Sequence, residues 1–156
     1  MVSEAVRRIH EARDTGATTL DLSGLRLLAL PPELADLTDL TELNLFRNRL
    51  AELPSWVADL RALTKIDMRA NRFEIFPQPV MALENLRSLR LNRNKFSGTP
   101  ANLAKLTHLT ELSLGSSDLT EVPRWLSELT NLTKLSIGGG RFTQLPDWLA
   151  VMTQLQ

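Results

Sequence analysis

Apolar residues return along this chain every 23 positions. Leu40, Leu63, Leu86, Leu109, Leu132 and Leu155 form one column, and Ala17 starts it a period earlier. Three residues on stand Leu20, Leu43, Ile66, Leu89, Leu112 and Leu135, and two beyond those Leu22, Leu45, Met68, Leu91, Leu114 and Ile137. A fourth column runs Leu27, Leu50, Phe73, Phe96, Leu119 and Phe142; a fifth runs Leu30, Leu53, Phe76, Thr99, Val122 and Leu145. Columns headed by Leu34 and Leu37 close the period. The first part of each period alternates apolar and polar, as on a strand with one buried face. A proline then follows (Pro31, Pro54, Pro77, Pro100, Pro123, Pro146), which removes a donor, fixes φ and ends the extended phase. Beyond it the apolar spacing is three, which predicts a helical or 3-10 turn. One period cannot bury its apolar side alone, but stacked periods bury a continuous one.

The columns spell L-x-x-L-x-L-x-x-N-x-L-x-x-L-P-x-x-L-x-x-L-x-x. This resembles the leucine-rich repeat family from residue 17 to 155. The 23-residue length and the L-P step are similar to repeats of bacterial effector proteins, Roco proteins and plant intracellular leucine-rich repeat proteins. The opening at 16 to 25, from Gly16 to Leu25, is similar to first repeats of such bacterial proteins. The resemblance implies an α/β repeat: a right-handed solenoid, a curved horseshoe segment. Short parallel strands would line its concave face, with 3-10 or helical turns on the convex one. Six repeats are expected, at 17–39, 40–62, 63–85, 86–108, 109–131 and 132–154, behind a cap at 1–16.

Asn48, Asn71 and Asn94 hold the pattern's asparagine position, where an amide can satisfy backbone groups of the turn. Leu25, Ser117 and Gly140 replace it in the other repeats, so looser turns are expected around 115–117 and 138–140. At the N-terminus Ser3 is a helix cap, Glu4 belongs in the first turn, and Val2, Ala5, Val6, Ile9 and Ala12 share one face. Thr15 and Gly16 stop that helix, expected over 2–14. The chain ends at Gln156, as a seventh repeat begins, with Leu145, Trp148 and Met152 unshielded. Two readings stand: a cut from a longer protein, or an edge that packs on a partner or a second copy.

Side chains at the third, fifth and seventh repeat positions would point away from the core, and residues 23 apart would be neighbours. Reading down these columns, and down the eighth and tenth, gives a basic strip on repeats two to four. It comprises Arg47, Arg49, Arg69, Arg72, Arg90, Arg93 and Lys95, with Phe46 and Asn92 beside it and Lys65 and Asp67 within it. Asp67 can face Arg90, and Glu42 can face Lys65, so part of the strip is neutral. Acidic residues follow the prolines instead, at Glu33, Asp36, Asp39, Asp59, Glu84 and Glu128. A basic inner face and an acidic outer one are therefore expected. The strip reads either as a solvated mixed-charge rim or as a site for an acidic or mixed-charge protein, with Phe46 and the arginines as anchors.

Net charge is +0, from 18 basic and 18 acidic residues, so no bulk field draws the chain to nucleic acid or an anionic membrane. Only Phe46 offers a base-stacking platform, which argues against nucleic acid. The absence of cysteine excludes disulfides, thiolate metal sites and a thiol nucleophile, and fits a reducing cytoplasmic compartment. No stretch has the apolar length of a secretory signal or a membrane span. Delivery into a host cell, as for the effectors it resembles, stays open. His10 and His108 are expected in solvent, with no nucleophile arranged beside them. Gly138, Gly139, Gly140 and Arg141 lack the ending of a phosphate loop. Trp56, Trp125 and Trp148 share one position two residues after a proline and are expected half exposed. No catalytic residue, cofactor or metal is expected. The leading expectation is a protein–protein interaction module. The resemblance also allows the recognition arm of a larger enzyme of GTPase or ubiquitin-ligase type, whose catalytic domain this chain lacks.

Overall fold

The computed structural model describes residues 3–96, 98, 101–115, 121–139 and 141–155. A helix, α1 (Glu4–Thr15), precedes six strands: β1 (Thr19–Asp21), β2 (Glu42–Asn44), β3 (Lys65–Asp67), β4 (Ser88–Arg90), β5 (Glu111–Ser113) and β6 (Lys134–Ser136). They form one parallel sheet in chain order, and each residue pairs with the residue 23 positions on, as Leu20 with Leu43 and Ile66 with Leu89. The periodicity of the sequence is thus the register of the sheet.

Each strand is three residues long, and each coil places the next strand beside it. Hydrogen bonding continues past it: Leu22 N–H donates to Asn44 O, and Gly24 N–H to Phe46 O, both at 2.8 Å. The proline is extended and ends this phase; Pro54 has φ −66° and ψ 152°. Val57 N–H then donates to Pro54 O at 3.1 Å, Leu60 N–H to Val57 O at 3.2 Å and Leu63 N–H to Leu60 O at 3.1 Å. These are i to i+3 bonds of a tight turn with three residues per revolution, which is why the apolar spacing there is three. Val57, Leu60 and Leu63 are all fully buried. One continuous core results, running from Ala5 and Ile9 of α1 to Met152.

The cap is built as the sequence indicates. The Ser3 hydroxyl accepts from Val6 N–H at 3.3 Å, Gly16 turns left-handed at φ 65°, and Ala5, Ile9 and Ala12 face the core. The helix covers Glu4–Thr15 rather than 2–14; Val2 lies outside the described residues. At the other end Leu145 and Val151 are exposed and Trp148 half-buried, but Met152 is buried, against the expectation that it is unshielded.

Candidate functional site

The sheet surface is set by strand alternation. Leu20, Leu43, Ile66, Leu89, Leu112 and Leu135 point inward, so the residues flanking them point out. On that outer side the charged groups neutralise one another. Lys65 Nζ lies 3.2 Å from Glu42 Oε2 across β2 and β3. Asp67 is buried (6% exposed), and both of its oxygens accept from Arg69 Nε at 2.9 Å. Arg90 reaches Asp67 at 4.0 Å on one side and on the other donates to Glu111 Oε1, from Nε at 2.8 Å and from Nη2 at 2.7 Å. Ser88 Oγ donates to the second Glu111 oxygen at 2.9 Å. Burial pushes the Glu111 carboxyl up, but the Ser88 and Arg90 hydrogen bonds, with the charges of Arg90 and Lys134, outweigh it and hold it below the ordinary value. The bond to Asp67 raises the Arg69 guanidinium, against its own burial.

The outward strand positions carry Asp21, Glu42, Asp67 and Glu111 against Lys65, Arg69, Arg90 and Lys134. The sheet itself is therefore balanced. Lys65, Arg69 and Arg90 of the expected basic strip are bound to carboxylates, and the expected basic face contracts to the turn beyond the strands.

That turn has its own geometry. Gly24, Arg47, Ala70, Arg93 and Gly139 share the eighth repeat position, and all five are left-handed, with φ 71°, 55°, 54°, 59° and 92°. At Arg47, Ala70 and Arg93 the asparagine that follows explains the shape. Asn71 Nδ2 donates to Leu45 O at 2.9 Å and Met68 O at 3.1 Å, while its Oδ1 accepts from Leu50 N–H at 3.0 Å. Asn48 and Asn94 repeat this pattern one period either side. The left-handed residue turns the chain so that the amide is buried. Gly does this without cost, whereas a side chain there costs about 1–3 kcal/mol. Ser117 and Gly140, on which the looser turns were expected, lie outside the described residues.

Next come Arg49, Arg72 and Lys95. Their amides donate to Leu27 O, Leu50 O and Phe73 O at 2.8, 2.8 and 2.9 Å, each in the preceding repeat. These bonds hold the three residues in a column at the pitch of the sheet, about 4.8 Å. All three side chains are exposed, as are Arg47 and Arg93, and none of the five has an ion-pair partner among the described residues. Arg26, exposed and also left-handed at φ 58°, extends the column into repeat one. A cationic ridge thus runs along the exit edge of a neutral sheet.

Phe46 joins the two regions. Its ring lies 5.0 Å from Arg69 Cζ and 6.0 Å from Arg47 Cζ. Asn92 does not face the ridge. Its Nδ2 crosses Gly115 to Ser136 Oγ at 3.4 Å, two repeats away, because Gly115 leaves the path open. A shallow cleft of ≈ 300 Å³ lies there, bounded by Phe46, Arg69, Asn92, Arg93, Ser113 and Ser136.

Sequence reasoning missed Glu111, the counter-group of Arg90, and Ser88, which donates to the same carboxylate, although their columns stood beside it. It also left Arg26 out of the strip while placing it in the right column. The turn acceptors were legible but unread. Asp21, Asn44 and Asp67, at one repeat position, each accept the backbone N–H two residues on, at 2.8, 3.0 and 3.1 Å. So was the threonine ladder, in which Thr41 Oγ1 donates to Thr18 O and Thr64 Oγ1 to Thr41 O. On the turn side Asp36, Asp39, Asp59, Glu84 and Glu128 are exposed, Glu33 partly so. Trp56 and Trp148 are half-buried as expected, but Trp125 is buried. No group of three or more His, Asp or Glu side chains is placed to hold a metal among the described residues, and no helix is long and apolar enough to cross a membrane.

The family model described as leucine rich repeat matches residues 15–73 and 84–142. No curated protein sequence matches the chain. Among solved structures, a leucine-rich repeat protein of Leptospira interrogans, LIC12759, is 31% identical with a TM-score of 0.79, over 88% of this chain and 35% of that one. The Arabidopsis receptor kinase HAESA, solved with the peptide hormone IDA and the co-receptor SERK1, is 21% identical with a TM-score of 0.58, over 89% of this chain and 33% of that one. The chain therefore spans about a third of the length of these two structures.

Proposed function

The chain belongs to the leucine-rich repeat family, whose members generally bind other proteins, and we propose that it is a protein-binding module working through repeats two to four. The supporting observation is the contrast in charge pairing. On the sheet, Lys65, Arg69 and Arg90 have carboxylate partners, whereas Arg47, Arg49, Arg72, Arg93 and Lys95 have none among the described residues. Like charges at this pitch repel by roughly 0.9 kcal/mol per neighbouring pair in water, so folding gains nothing from the column. The partner has an acidic or mixed-charge surface. Phe46 and the neutral sheet beside the ridge supply contact area rather than charge.

The test is capture of interacting protein by wild type beside the triple variant Arg49→Glu/Arg72→Glu/Arg93→Glu. Loss of specific capture at unchanged melting temperature is the expected result. Capture that survives places the site elsewhere. A recognition arm of a multidomain enzyme is the second reading. A native reading frame that continues past Gln156 into a catalytic domain would support it, and one that ends there would remove it.

A further inference from the structure

We propose that the cationic ridge is a track for an acidic α-helix of the partner, laid along the solenoid axis with a carboxylate on each turn. The proposal rests on the protein-binding reading above and adds the conformation and chemistry of what binds.

The first support is pitch. Arg49, Arg72 and Lys95 are tied to preceding repeats by backbone bonds of 2.8–2.9 Å, so the cations step by about 4.8 Å. A helix places side chains at i, i+3 or i+4, and i+7 on one side, stepping by about 5.4 Å per turn. An extended strand places them on one side only every second residue, about 6.6 Å apart. From Arg26 to Lys95 is three steps, about 14.4 Å. A helix covers three turns in about 16 Å, and a strand covers three same-side steps in about 20 Å. Flexible arginine stems absorb the first mismatch more readily than the second.

The second support is backbone conformation. Arg47 and Arg93 stand where Gly24 and Gly139 adopt the same left-handed turn without penalty. Strain alone marks no site, since Ala70 carries it too. What separates Arg47 and Arg93 from Ala70 is an exposed guanidinium without an ion-pair partner among the described residues. They form a second row beside Arg49, Arg72 and Lys95, so a helical carboxylate face meets cations on two sides.

Two fluorescent synthetic peptides of one composition provide the probe. One is stapled as a helix with Glu on successive turns, and the other is held extended by proline. Anisotropy at low salt, where exposed pairs are least screened, gives their dissociation constants. The helical peptide is expected to bind about tenfold tighter, and Arg49→Gln, Arg72→Gln or Lys95→Gln to weaken it about threefold each, as exposed ion pairs do. Arg47→Gly and Arg93→Gly are expected to raise the melting temperature while weakening the helical peptide. Ala70→Gly should raise it with no change in binding. Equal affinity of the two peptides, no detectable binding of either, or Gly variants that bind as wild type would each overturn the proposal. The charge-reversed triple variant separates this from the broader reading. If its capture of protein is lost while the helical peptide shows no advantage, only the helical partner is wrong.

Discussion

The Asp67 carboxylate is held by Arg69, two residues along its own chain at 2.9 Å, while Arg90, its partner across the sheet register, stands at 4.0 Å. Asp67 is thus a local organiser before it is a cross-strand ion pair. It closes the turn by accepting Arg69 N–H, and it places the Arg69 guanidinium over Phe46. Asp67→Ala leaves Arg69 without its carboxylate and a backbone donor without its acceptor, for an expected cost of about 1–2 kcal/mol. Asp67→Asn keeps the turn acceptor and should cost less. Urea midpoints check both.

Asn71 joins four backbone groups in two repeats from a buried position. Asn71→Ala leaves the Leu50 N–H without its acceptor, while Leu45 O still accepts from Asn48 Nδ2 and Met68 O from Asn94 Nδ2, and should destabilise by about 1–3 kcal/mol, the cost of one unsatisfied buried group. Hydrogen exchange gives the sharper readout. The Leu50 amide, which donates to Asn71 Oδ1, should lose protection more than Leu27 or Phe73, which donate to Asn48 and Asn94. Equal loss at all three would mean that the asparagines do not act locally.

Gly115 and Gly138 sit at one repeat position with opposite tolerance. A methyl group on Gly115 would clash with Gly138 O and meet Asn92 Nδ2 at 2.7 Å, whereas one on Gly138 meets nothing within 4 Å. Gly115→Ala is expected to lower stability by about 1–3 kcal/mol, as overpacking does, and Gly138→Ala by well under 1 kcal/mol. Thermal melts of the two variants side by side decide it.

Acid should destabilise the chain through two depressed carboxyls, one on the cap helix and one on the sheet. Hydrogen bonds from Arg7 and Arg8 hold Glu4 down to about 2, and Glu111 also lies below the ordinary carboxyl value of 4.5. A carboxyl depressed in the folded state stabilises above its unfolded value, and the gain is lost as pH falls through the folded one. Stability should be flat above about pH 4.5 and decline towards pH 2, with added salt shrinking the Glu4 share because that group is fully exposed. Denaturant midpoints across that range check the slope, and Glu111→Gln should reduce it.

The fold was legible because a solenoid converts sequence period directly into spatial register: Leu43 pairs with Ile66 because 23 residues make one coil. The charges were harder. Glu42 with Lys65 could be read from the register alone, but Arg90 chose Glu111 over Asp67, and Asp67 chose Arg69. Side-chain length and reach along the strand decided those pairings, and a column diagram contains neither. The left-handed turn at Arg47 and Arg93 was hidden for another reason: arginine masks a conformation that Gly24 and Gly139 would have announced.

The ridge depends on Arg49 and Arg72 lying one coil apart on the same edge, and disulfide trapping measures this directly, since the chain has no cysteine of its own. Under mild oxidation Arg49→Cys/Arg72→Cys should close an intramolecular disulfide, because Cα atoms about 4.8 Å apart fall within the roughly 4.4–6.8 Å that such a bond accepts. Arg49→Cys/Lys95→Cys, two coils apart at about 9.6 Å, should not. A bond in the second pair but not in the first would contradict the column, and with it the docking surface built on it.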